Sequence, residues 1–198
     1  MANNCYNLIE FWGNDKVQAQ VKKWNTQLAS YEPTKDDLNC ARAIKDTFYT
    51  ELSADELPEY GSKWVYQDEA STGSGDDELG LRSAWGNPKE LEMRLACLLY
   101  PLDKNVIVRN RFNIEDGSEG VSYSTPESDS VAYHQEVLVE CDYSSYEESE
   151  DAENEVFEKL LEEERDMLSD YFLDDKPHLA KIFKKRMPEL DLDWQSYE

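Results

Sequence analysis

The chain has 198 residues, enough for one domain with a full core or one domain with an appendage, but not for two large domains. Its 44 Asp and Glu against 20 Lys and Arg give a formal charge of −24, which disfavours direct binding to nucleic-acid phosphates and to anionic membranes. Twelve Tyr, five Trp and six Phe predict a packed core.

The N-terminal residues predict a strand followed by a helix. The apolar run from Asn7 to Trp12 indicates a buried strand that ends at Gly13. Asn14 or Asp15 is expected to cap the helix, because short polar side chains accept hydrogen bonds from the first free amide groups. The apolar residues of this helix have helical spacing: Val17, Val21, Trp24 and Leu28.

A helical insertion and a hairpin are predicted next. Pro33 breaks the chain, and the following apolar spacing predicts helical structure within an insertion at about 34–57. Lys63 to Gln67 and Leu79 to Trp85 indicate two short strands, paired as a hairpin around a flexible loop at 71–77.

The remaining elements up to residue 141 favour an α+β fold. Asn87-Pro88 begins a helix that Tyr100-Pro101 ends, and Val106 to Phe112 indicates a strand. This element order is typical of the split βαβ arrangement of ferredoxin-like folds, an antiparallel sheet with helices on one face. Segments Glu119 to Tyr123 and Val131 to Cys141 are expected to extend the sheet, so residues 1–141 are predicted to form the ferredoxin-like domain.

The composition changes after residue 141. Residues 142–175 hold fifteen acidic residues against Lys159 and Arg165. A helix is predicted from Ala152, with an apolar stripe formed by Phe157, Leu161, Leu168 and Phe172. Pro177 interrupts it, and a short basic helix follows. Residues 142–198 are therefore predicted to form an acidic helical appendage.

Three sequence blocks resemble a known family. The blocks are Ala2-Asn3-Asn4-Cys5-Tyr6-Asn7, Tyr60-Gly61-Ser62-Lys63-Trp64, and Ser83-Ala84-Trp85 followed by Pro88 and Tyr100-Pro101. In this order they resemble the YubB/Api-like ferredoxin-domain proteins of phages and plasmids, over roughly residues 2–124. Tyr60 stands where that family has a tryptophan. The resemblance implies a ferredoxin-like fold and a mobile genetic element, and it brings no catalytic residues.

The acidic segment suggests a function. If residues 142–175 were fully helical they would span about 51 Å, with one carboxylate per about 3.4 Å, which is the spacing of phosphates along a DNA strand. This density predicts a non-enzymatic inhibitor that mimics nucleic acid and occupies the basic groove of a host defence complex, such as a CRISPR effector or a restriction enzyme. The predicted contact residues are Glu147, Glu148, Glu150, Asp151, Glu155, Glu158, Glu162, Glu163 and Asp166.

Other interpretations stay open at this point. The acidic helix can bind a different basic partner, or it can be a solvated surface that keeps the protein in solution. A generic interaction module would instead dock through the apolar stripe, with binding that is insensitive to salt. An enzyme would need two converging carboxylates with raised pKa values in a deep pocket.

No cofactor, metal site or catalytic residue is predicted. His134 and His178 lack partners at metal-binding spacing, and the four cysteines, Cys5, Cys40, Cys97 and Cys141, are expected to be buried free thiols. Trp12, Trp64 and Trp85 are expected to lie in the core rather than on an exposed recognition patch. Without a signal sequence or a long apolar window, the chain is predicted to be cytoplasmic.

Overall fold

The computed structural model describes residues 3–31, 37–53, 56, 58–67, 78–141, 150–188, 190, 192 and 194–197, with the backbone alone at 37–41, 150–153 and 195. Its strands are β1 (Asn4–Trp12), β2 (Val65–Gln67), β3 (Glu78–Ala84), β4 (Ile107–Ile114), β5 (Glu119–Pro126) and β6 (Ala132–Val139). They form one antiparallel sheet in the order β2-β3-β1-β4-β5-β6. The predicted α+β class and the antiparallel sheet are confirmed.

The helices fall into two groups along the chain. The first comprises α1 (Asp15–Ala29), α2 (Asp37–Phe48) and α3 (Lys89–Leu99). The second comprises α4 (Glu150–Met167), α5 (Leu173–Asp175) and α6 (Ala180–Arg186). A π-helical turn, Leu168–Phe172, joins α4 to α5.

Helices α1 to α3 cover one side of the sheet, which we call face A. Strand side chains alternate between the two sides, and those of Ile9 and Phe11 lie on this face. The predicted stripe of α1 is confirmed, because its four apolar residues are all buried. Asn14 is the N-cap, and its Oδ1 accepts hydrogen bonds from the backbone amides of Lys16 and Val17.

The opposite side, face B, is covered by the C-terminal helices. Trp12, Ile107 and Tyr123 share a hydrophobic cluster with Phe172 and Phe183. The prediction that helices cover only one face was therefore wrong. The physical reason lies in β1 and β4, which carry apolar residues on both sides and need cover on both.

The predicted insertion packs on face A. Phe48 of α2 lies edge-on to Trp24 of α1, with ring centroids 5.1 Å apart. The helix ends at Phe48, within the predicted insertion, and the loop at 71–77 lies outside the described residues. The domain boundary at residue 141 stays a prediction, although the segment beyond it shares a core with the sheet.

The three tryptophans do not share one environment. Trp12 is buried, Trp64 stacks on Tyr66 with ring centroids 5.1 Å apart, and Trp85 is 58% exposed. The prediction that Trp85 lies in the core was wrong. Its backbone φ of 72° turns the chain out of the end of β3. Cys5 and Cys97 are buried free thiols, Cys141 is a half-buried one, and the side chain of Cys40 lies outside the description.

Candidate interaction surface on helix α4

One side of α4 attaches this helix to face B. Its buried residues recur at helical spacing: Val156, Leu160, Glu164 and Met167. The apolar members of this set join the cluster beneath the helix, so α4 is fixed along the described part of its length. The opposite side is left to solvent.

The predicted apolar stripe was wrong in its phase. Phe157 and Leu161 are 42% and 41% exposed, whereas Leu168 and Phe172 are fully buried within the core of the same chain. The buried side of α4 lies one residue earlier, at Val156 and Leu160. The same four-residue spacing continues to Leu168 and Phe172, the first and last residues of the π turn, and both lie in the core.

Four carboxylates of α4 lie together on its outer side. Glu155, Glu158, Glu162 and Asp166 are exposed, and we call this set the acidic stripe. At about 100° per residue the four positions fall within an arc of about 80°, and they extend over roughly 16 Å of helix axis.

Ion pairs within α4 neutralise part of this charge. Lys159 lies 3.7 Å from Glu163, and Arg165 lies 3.1 Å from Asp166. Within the described part of the chain, Glu158 and Glu162 form no ion pair. Exposed pairs of this kind contribute little to stability, so the stripe remains a negative surface.

The other predicted contacts are only partly covered by the structure. Glu147 and Glu148 lie outside the described residues, and Glu150 and Asp151 are described by their backbone within α4. The sequence of α4 contains nine acidic and two basic residues. The net charge of α4 is therefore −7 over roughly 27 Å, although one of its nine acidic residues, Glu164, faces the sheet.

A buried ion-pair network attaches α4 to the sheet. The guanidinium of Arg109 in β4 lies 3.1 Å from Glu164 of α4 and 2.8 Å from Glu10 of β1. Its Nε also donates to the hydroxyl of Tyr123, 2.9 Å away, and this hydroxyl donates to Glu164. Burial and the neighbouring Glu164 raise the pKa of Tyr123 well above its usual value, so the phenol stays protonated.

A second buried carboxylate lies on face A beneath α3. Glu92 accepts hydrogen bonds of 2.6 Å from Asn110 Nδ2 and from Ser122 Oγ, and its Oε2 lies 3.7 Å from His134 Nδ1. Burial raises the pKa of Glu92 to about 7, although His134 and the two hydrogen bonds act in the opposite direction. The side chain is fully buried, so this carboxyl group contacts its own sheet rather than solvent.

The sequence analysis missed Glu92, Glu164 and Arg109. A signal for the two glutamates was present, because each falls at helical spacing from buried apolar residues of its own helix. We interpreted α4 as apolar on one side and acidic on the other, and a buried glutamate fits neither class. Arg109 lies in a strand between Val108 and Asn110, and nothing local predicts its partners.

The described residues contain neither a candidate membrane span nor a candidate metal cluster. Among the described residues, no helix combines the length and the apolar character needed to cross a membrane. The same residues contain no group of three or more His, Cys, Asp or Glu that could hold a metal ion.

Comparisons with known proteins were made for families, for curated proteins and for solved structures, and none of the three gave a match. The resemblance to the YubB/Api-like proteins therefore stays a prediction.

Proposed function

We propose that this protein is a non-enzymatic inhibitor that mimics nucleic acid. In this proposal the acidic stripe occupies the basic groove of a host nucleic-acid-binding defence complex, a CRISPR effector or a restriction enzyme. The observation that carries the proposal is that Glu158, Glu162 and their neighbours are exposed on an ordered helix whose opposite side is attached to the sheet.

The rigidity of α4 supports mimicry over a purely solubilising surface. Carboxylates on a free chain would lose conformational entropy when they bind, whereas those of the acidic stripe are already arranged in one row. A partner that binds phosphates through Lys and Arg would meet a similar linear charge density, with fast association that weakens as salt rises.

The order of the strands supports the fold assignment that accompanies this proposal. Strands β2-β3-β1-β4 are consecutive in the sheet, and α1 and α3 lie in the two crossover connections of the chain. We propose that this part is a ferredoxin-like unit, extended by β5 and β6, and that the chain belongs to a phage or plasmid. Its predicted cytoplasmic location is part of the same proposal.

A second candidate is docking through apolar contacts. Phe157 and Leu161 are the members of the predicted stripe that remain exposed, and they lie beside Glu158 and Glu162. Binding through these two residues would persist at high salt, whereas binding through the acidic stripe would weaken.

Cleavage protection tests the proposed inhibition. The probes are purified restriction endonucleases and CRISPR effector complexes, each incubated with the protein before target DNA is added. We expect inhibition of at least one of these nucleases, and this inhibition should fall as salt rises from about 50 to 200 mM. Replacing Glu158 and Glu162 by glutamine should weaken the inhibition about tenfold or more, because neither carboxylate forms an ion pair with another described residue.

A matched variant separates the acidic stripe from total charge. Asp129→Asn with Glu140→Gln also removes two exposed carboxylates, and these lie outside α4. We expect this double variant to inhibit like the wild type. Unaffected DNA cleavage across the whole panel, or equal loss in both double variants, would refute the role of the acidic stripe.

A further inference from the structure

Two of the sequence blocks that resemble the YubB/Api-like family line one groove. Residues 60–63, from the segment before β2, lie opposite residues 84–86, where β3 ends. Glu59 and Glu90 also line the groove, which has a volume of about 680 Å³ and which we call the Trp85 groove. This volume is within the range of typical ligand sites. The groove involves no residue of α4.

The backbone around Trp85 is held in an unfavourable conformation. Its φ of 72° lies in the left-handed region, which is unfavourable for a bulky residue. The Trp85 amide donates to the carbonyl of Asn3, 3.0 Å away, and Ser62 Oγ donates to the carbonyl of Ala84, 2.8 Å away. These bonds hold an exposed aromatic ring at the side of the groove.

The carboxylate of Glu90 lies close to Gly61 in the same groove. Oε2 of Glu90, in the first turn of α3, is buried and has no hydrogen-bond partner among the described residues. It packs against Gly61, whose φ of 78° also lies in the left-handed region. A Cβ at position 61 would overlap this oxygen and lie 3.0 Å from the Glu90 amide nitrogen, so glycine is required there.

The charges of the groove favour one positive group. Glu59 and Glu90 face a single cation, Lys63, among the lining residues, which leaves a net charge of −1. The surrounding protein carries a formal charge of −24, so its field attracts cations and repels anions. An arginine side chain suits this combination, because its planar guanidinium stacks on aromatic rings and forms paired hydrogen bonds with carboxylates.

We propose that the Trp85 groove binds an arginine side chain of a protein partner. The guanidinium stacks on the ring of Trp85 and forms an ion pair with Glu90 or Glu59. This site is separate from the acidic stripe, and the arginine would provide a positional anchor that a row of surface charges lacks.

Nuclear magnetic resonance can test this site with a small probe. The probe is N-acetyl-arginine methylamide, titrated into ¹⁵N-labelled protein, and its uncharged control is the citrulline analogue. We expect the arginine probe to shift the Trp85 indole and the Gly61 and Gly86 amides saturably, with a dissociation constant on the order of 1 mM. The citrulline probe should leave these signals in place.

Variants identify the groups responsible. Trp85→Ala should weaken binding about threefold or more, and Trp85→Phe, which keeps an aromatic ring, should weaken it less. Glu90→Gln tests the carboxylate. The variant with Glu158→Gln and Glu162→Gln should bind the probe like the wild type, which makes the test independent of the acidic stripe.

Three results would overturn the proposal. Equal shifts with citrulline would show that the positive charge is not recognised. Arginine shifts that spread along α4 and survive Trp85→Ala would show a general response to the acidic surface. No shift at the Trp85 indole at about 10 mM probe, ten times the expected dissociation constant, would show that the groove does not bind arginine.

Discussion

The two faces of the sheet each bury a glutamate, and they do so in different ways. On face A, Glu92 of α3 lies among Asn110, Ser122 and His134, and its pKa is raised to about 7. On face B, Glu164 of α4 lies 3.1 Å from Arg109, whose guanidinium also contacts Glu10. The carboxyl group of Glu92 gains a proton readily, whereas that of Glu164 has a permanent cation beside it.

The attachment of α3 responds to the protonation of Glu92, whereas the attachment of α4 relies on the cation of Arg109. Burial alone disfavours the charge of Arg109, yet Tyr123, Glu164 and Glu10 together raise the pKa of its guanidinium. The guanidinium of Arg109 therefore stays charged, and the attachment of α4 depends on this cation. The attachment of α3 depends on whether Glu92 carries a proton.

Removing the cation from face B should produce the largest effect. Arg109→Met keeps much of the apolar stem but leaves Glu164 buried without its cation, which is expected to cost about 3–5 kcal/mol of unfolding free energy. Urea denaturation at pH 7 measures this loss. Adding Glu164→Gln to Arg109→Met should recover part of it, because the uncompensated charge is then gone. A loss below about 1 kcal/mol in the single variant would show that solvent reaches the network.

On face A the effect should depend on pH. Below pH 4.5 Glu92 is protonated in both the folded and unfolded states, and above about pH 7 it is ionised in both. Because the folded pKa is the higher one, the contribution of Glu92 is complete at low pH and is lost as pH rises through this window. The shift from 4.5 to about 7 corresponds to about 3 kcal/mol.

Glu92→Gln should remove this contribution. The unfolding free energy of the wild type minus that of the variant is expected to fall by about 3 kcal/mol between pH 4.5 and 7. Taking the difference cancels the many surface carboxylates, which titrate in both proteins. A difference that stays constant across the window would show that Glu92 has an ordinary pKa.

The sequence predicted more of face A than of face B. Helix α1, with its Asn14 cap and four buried apolar residues, follows from local spacing and capping chemistry alone. Strands β1 and β3 to β6 were also predicted at nearly their observed positions. These features depend on residues a few positions apart in the sequence, and sequence patterns are informative over that distance.

The features that were missed depend on contacts between distant residues. Three features can be seen only in the folded chain. They are the position of α4 on face B, the pairing of Arg109 with Glu164 and the exposure of Trp85. The phase of α4 was ambiguous, because Val156 and Leu160 compete with Phe157 and Leu161 at the same spacing. The π turn at Leu168–Phe172 follows, and no residue within it predicts this departure from α-helical geometry.

Two adjacent leucines of α4 allow this phase to be measured. Leu160 is buried beside Val156, so Leu160→Ala should cost about 2 kcal/mol, the lower end for such substitutions because this side chain borders two surface cavities. Leu161→Ala should change the unfolding free energy by at most about 0.5 kcal/mol, because Leu161 is already 41% exposed. Both variants remove the same atoms from the same helix, so helix propensity cancels in the comparison. A larger loss for Leu161→Ala than for Leu160→Ala would show that α4 is rotated by about 100° from the orientation described. The acidic stripe would then lie closer to the sheet, and the basis for mimicry would be removed.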